Sequence, residues 1–147
     1  MTDTSTVERV KALFCDTSFF YAALDKRDRE HSKARKLAQA IQEKQIPLIT
    51  TWEVIVETVT LLRYRYSYRG AMVFLDRVLP RLNILYIDSE IRAKALLAFR
   101  KLSRDREISL CDAISYVVVS EHLNFIPCLA FDEDFKRLGL TVLDEIP

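Results

Sequence analysis

At 147 residues, half of them hydrophobic and 29% charged, the chain has the size and balance of one folded domain, and disorder is excluded. Its 22 basic and 21 acidic side chains leave a formal charge of +1, which excludes a DNA-coating protein or an acidic tail. Any contact with a polyanion must come from a local patch.

The polar start, Met1–Lys11, has no apolar stretch of the signal-peptide kind, and residues 1–9 are expected to form a flexible extension of a single domain, 1–147. Val10–Cys15 then predicts a strand, stopped by Asp16-Thr17-Ser18, with a short helix over Ser18–Leu24. Arg29–Lys44 puts Ala34, Leu37, Ala38 and Ile41 on one face of an amphipathic helix. Ile46–Thr50 is a second strand, and Thr51 is placed to cap a helix over Trp52–Tyr66. Gly70–Leu79 is helical and closed by Pro80, and Asn83–Ile87 is a third strand.

Ser89 is the expected N-cap of a long amphipathic helix carrying Ile91, Ala95, Phe99 and Leu102. Ser109 opens another, Leu110–His122, apolar on most sides and so buried. Ile126–Phe131 and Thr141–Leu143 complete about five strands, with a short helix Glu133–Leu138 between them. Pro127 fits best as the first residue of its strand. Strands alternating with helices predict an α/β fold of three layers, a central parallel sheet with helices on both faces. Such a sheet carries its site at the carboxyl ends of its strands. No run nears the roughly 20 apolar residues of a membrane span. Cys15, Cys111 and Cys128 have no C-x-x-C pairing and read as core residues of a protein in a reducing cytoplasm. A zinc site would need His31 or His122, and neither has ligand spacing.

Asp16, Asp88 and Asp132 each follow a predicted strand. Each also has a plain reading as a helix N-cap, and Asp112 fits the capping pattern Ser109-x-x-Asp112. Glu57 resists the plain reading. Its helix is apolar through Trp52, Ile55, Val59 and Leu62 on one side and through Val54, Leu61 and Tyr64 on the side of Glu57 itself. A carboxylate buried there requires a cation. Were Asp16, Glu57, Asp112 and Asp132 to converge, each pair at 4 Å would repel by roughly 4 kcal/mol at an effective dielectric of 20. Oxygen donors without His or Cys favour Mg²⁺ or Mn²⁺, and such a cage can activate water against a phosphodiester.

With those residues in place the sequence resembles the PIN-domain ribonucleases and, among them, the VapC-type toxins of prokaryotic toxin–antitoxin pairs. The resemblance runs through CDTSFFYAAL, TTWEVIVETVTLLRYR, LDRVL, IDSEIRAKALLAFRKLSRDREISLCDAISYVVV and AFDEDFKRLGL. It implies a PIN-like fold and a metal-dependent endoribonuclease whose catalytic acids fall on Asp16, Glu57, Asp112 and Asp132. Asp16 and Asp112 would be direct ligands of Mg²⁺ or Mn²⁺, and Asp134 would assist or replace Asp132. The implied partners are an RNA substrate, a cognate antitoxin and a second copy in a homodimer. A non-catalytic PIN-fold interaction module and a housekeeping RNA-processing nuclease are the alternatives.

Arg63–Gly70 (RYRYSYRG) interleaves three Arg with three Tyr, a composition that suits a single RNA strand or a dimer contact. A strand-end Asp followed by Thr is also compatible with a phosphotransferase or receiver domain. Against that, Ser18 stands where a phosphatase needs a second acid, and Lys136 falls inside the terminal helix.

Overall fold

The computed structural model describes residues 9–147; residues 1–8, most of the expected extension, lie outside the described residues. Strand β1 (Leu13–Cys15) is wholly buried, and β2 (Leu48–Thr51), β3 (Asn83–Leu85) and β4 (Cys128–Leu129) complete a parallel sheet in the order β3-β2-β1-β4. Between β1 and β2 run α1 (Thr17–Leu24) and α2 (His31–Lys44). Between β2 and β3 run α3 (Trp52–Leu61), which continues into a π-helical turn at Leu62–Tyr66, and α4 (Tyr68–Val73). The chain then crosses back through α5 (Ser89–Leu102) and α6 (Leu110–Val117) to β4, and α7 (Glu133–Arg137) follows.

Right-handed crossovers dictate the layering. Successive steps β1→β2→β3 travel one way and place α1 to α4 on one face, where α1 packs on both α2 and α3. The return step to β4 travels the other way and places the packed pair α5 and α6 on the opposite face. The strand order therefore reverses between β1 and β4, and ligand crevices form outside the strand ends at such a point.

The apolar periodicities land where expected: Ala34, Leu37 and Ile41 of α2 are buried, as are Ile91 and Ala95 of α5. On the α1 side Phe20 meets Phe74 edge-on at 5.3 Å between ring centres. Among the described residues the sheet has four strands, not about five. Thr141–Leu143 contributes a single bridge, Cys128 to Val142, because β4 is only two residues long and pairs in full with β1 alone. Pro127 lies just before β4, where its carbonyl accepts from Phe14 N at 3.0 Å. The cap of α5 is Asp88, whose Oδ1 takes the Ile91 amide at 2.8 Å; Ser89 is already the first helical residue.

Candidate active site

Asp16 stands at the carboxyl end of β1, where Thr50 Oγ1 donates to the Cys15 carbonyl at 2.7 Å and pins the strand end. Its Oδ2 caps α1, accepting from the Ser18 amide at 3.2 Å and from Ser18 Oγ at 2.6 Å. Ser18 Oγ in turn accepts from Phe131 N at 2.9 Å, so one hydroxyl joins the ends of β1 and β4 across the point where the strand order reverses. Asp16 is 4% exposed. Burial pushes its carboxyl up to about 7, Asp112 adds to that push, and the Ser18 hydrogen bonds oppose it.

Asp112 opens α6 in a capping box: Ser109 Oγ accepts from Asp112 N, and Asp112 Oδ2 accepts from Ser109 N, both at 3.0 Å. Its carboxyl is raised, first by burial and then by the charges of Asp132 and Glu57, against the Ser109 hydrogen bonds. Glu57 is half-buried on α3 and stands beside Cys111, whose thiol is pushed up by burial and by Glu57 and Asp16. Asp132 caps α7 through Oδ1, which takes the Asp134 amide at 2.9 Å. Carboxylate oxygens of Asp112, Asp132 and Asp134 all lie within 4.8 Å of one another. Burial and the neighbouring Asp132 raise the Asp134 carboxyl.

The four sequence-selected acids thus line one cleft of about 600 Å³ at the strand ends, with Asp28, Glu30 and Glu107 around it. The donor set fits a hard divalent cation. Among the described residues, helix capping engages one oxygen each of Asp16, Asp112 and Asp132 and leaves the second oxygen for another partner. A second mark of a missing partner is Thr17, 3% exposed, whose hydroxyl at the cleft wall has no hydrogen bond among the described residues. An orphaned hydroxyl costs about 1–3 kcal/mol, which a bound ligand or water would offset. Thr17 carried no signal in the sequence beyond its place in the first turn of α1.

The expected apolar frame of Glu57 is half right. Val54 and Ile55 are buried and Leu61 borders the cleft, but Tyr64 is 82% exposed and Arg65 borders the cleft instead. The cause is the π-helical turn, seen in the Ser67 amide bonding the Leu62 carbonyl five residues back at 2.8 Å. In a regular helix the residue seven on from Glu57 would lie about 20° from its direction and the residue eight on about 80° away. One i→i+5 turn adds a residue and shifts the register by one. Arg65 takes the place that Tyr64 would have had.

The PIN domain family model matches residues 13–140, and the chain belongs to the PIN-domain family and, within it, to the VapC group. The VapC ribonuclease of Archaeoglobus fulgidus is 33% identical over 113 residues, which span 75% of this chain and 71% of that protein. The crystal structure of Mycobacterium tuberculosis VapC20, a sarcin–ricin loop cleaving toxin, matches with a TM-score of 0.73 at 27% identity, covering 90% of this chain and 98% of that one. FitAcB from Neisseria gonorrhoeae matches in fold, with a TM-score of 0.63 at 15% identity over 89% of this chain and 96% of that one.

Proposed function

We propose that the chain is a metal-dependent endoribonuclease of the cytoplasm and the toxin of a type II toxin–antitoxin pair, working as one domain in a homodimer. The observation that carries this reading is the convergence of Asp16, Glu57, Asp112 and Asp132 on one cleft, with the Asp16 carboxyl raised to about 7 by burial and by Asp112. A fold that keeps such mutually repelling groups together gains nothing from them unless a cation joins them. The relatives named for RNA cleavage support RNA as the substrate.

Asp16 and Asp112 would hold Mg²⁺ or Mn²⁺, and Glu57 and Asp132 would complete the cage through water or a second ion. When bound, the ion supplies Lewis-acid polarisation of the phosphate and a more acidic attacking water. Ser18 fixes the Asp16 carboxylate, and the capping box fixes Asp112, so both are oriented before substrate arrives. Glu57 or Asp132 takes the proton of the water that attacks in line on the phosphodiester. A guanidinium can fork onto two carboxylate oxygens, so an antitoxin that inserts an Arg into the cleft would silence it.

Production of the chain alone in a bacterial host tests the toxin role. Growth arrest that Asp16→Ala relieves is the expected result. Normal growth with verified soluble parent chain contradicts the toxin role.

A further inference from the structure

We propose that Arg65 is the phosphate-gripping residue of this cleft and that Arg27 is the residue that positions it; the inference rests on the ribonuclease reading. Arg63–Gly70 divides in three dimensions. The Arg63 guanidinium lies 5.9 Å from the ring centres of both Tyr64 and Tyr68, and Arg69 borders a separate hollow beside Lys26 and Arg35. Arg65 alone of the three borders the acidic cleft, carried there by the π-helical turn. Seven carboxylates and two guanidiniums line that cleft. Both arginines are exposed; Arg29 leans toward Glu30 at 3.8 Å, whereas Arg65 has its main chain held by Arg27. An anionic strand needs a fixed positive group beside so many acids, and a guanidinium suits a phosphate because it offers parallel donors.

The main chain of Arg65 is held from outside its own helix. Arg27 Nη2 donates to the Arg65 carbonyl at 2.6 Å, across 38 residues of sequence. Arg27 is itself fixed on both sides. Its Nε and Nη2 donate to Asp25 at 3.2 and 3.3 Å, and its guanidinium lies 5.2 Å from the ring centre of Tyr66. Asp25 is buried and also accepts from Tyr21 Oη at 2.6 Å and from the Arg27 amide at 2.9 Å. This latch joins the end of α1 to the π-helical turn and holds the Arg65 main chain at the border of the cleft. Arg27 does not border the cleft, so it acts through Arg65.

The test is binding of a labelled single-stranded oligouridylate with Mn²⁺ over a range of salt, in an Asp112→Asn background that keeps the RNA whole. Arg65→Ala should weaken binding about tenfold. It should also make the log–log salt slope shallower by about 0.7, the loss of one phosphate contact on a single strand. Arg65→Lys should restore the slope but only part of the affinity, and Arg63→Ala should change neither. Arg27→Ala, checked for folding by its melting temperature, should weaken binding when Arg65 is present and add nothing to Arg65→Ala. An unchanged slope and affinity in Arg65→Ala overturns the assignment. Additive losses in the double variant overturn the role of Arg27. If the parent with Asp112 cleaves RNA and Arg65→Ala cleaves equally well, the inference falls and the nuclease reading stands; a parent that neither binds nor cleaves RNA ends both.

Discussion

Asp16, Asp112 and Asp132 each cap a helix through one carboxylate oxygen, and all three residues line the cleft. Capping and a place on the cleft are therefore compatible in a strand-end Asp. Capping is what locks the rotamer, and a locked rotamer is what a metal ligand requires. Asp25, off the cleft lining, shows the opposite electrostatics from Asp16. Burial pushes its carboxyl up, but the hydrogen bonds from Arg27 and Tyr21 outweigh burial and hold it below the usual value of 3.8. Its folded value is lower than its unfolded one. Its contribution is therefore present in full above about pH 4 and lost as pH falls through the folded value. Asp25→Ala should cost roughly 2–3 kcal/mol at neutral pH. Denaturant melts at pH 7 and pH 3 should show the gap between variant and parent closing at the lower pH. A gap that stays constant would mean that the latch does not depend on the Asp25 charge.

At the scale of elements, β1, α2, α3 and α6 were legible because their apolar spacing and caps agree. Ala34, Leu37 and Ile41 mark the α2 face, and Ser109 with Asp112 marks the α6 start. What could not be read was helix type. The sequence pattern for Trp52–Tyr66 is continuous, and nothing in it marks the departure to i→i+5 bonding at Leu62–Tyr66, where Arg27 meets the Arg65 carbonyl and Gly70 lies close to Tyr66. Nor could the sequence show that the expected fifth strand would fail to form, since Thr141–Leu143 has strand composition but only a two-residue neighbour to pair with. Gly70 makes the packing at the π-helical turn testable. A Cβ there would stand 2.6 Å from Tyr66 Cδ2, so the ring under Arg27 must shift. Alanine gains about 1 kcal/mol of helix propensity over glycine, against about 1–3 kcal/mol for overpacking. Gly70→Ala should therefore lower the melting temperature, and it should weaken RNA binding as Arg27→Ala does. A stabilised variant with unaltered binding would show that the π-helical turn stands without this packing.

For the whole molecule, a net charge of +1 hides a strong local asymmetry, with seven acids against two arginines in one cleft. The topology creates that asymmetry. The strand order reverses between β1 and β4, so the acids after both strands face one crevice, and α3 and α6 bring Glu57 and Asp112 to it from opposite faces of the sheet. The four acids were legible in the sequence because each sits at a strand end or a helix start, apart from Glu57, which only its apolar surroundings marked. Among the described residues no helix is long and apolar enough to cross a membrane. A divalent-cation site that hydrolyses RNA on these carboxylates is checked by following RNA cleavage by the purified parent chain and by Asp112→Asn, each with Mn²⁺ and with chelator. Cleavage by the parent is expected with Mn²⁺ alone, and at least a hundredfold loss in Asp112→Asn, on the order of one lost charge-stabilising group, with the fold retained. Cleavage that persists in chelator, or an Asp112→Asn variant as active as the parent, would contradict it.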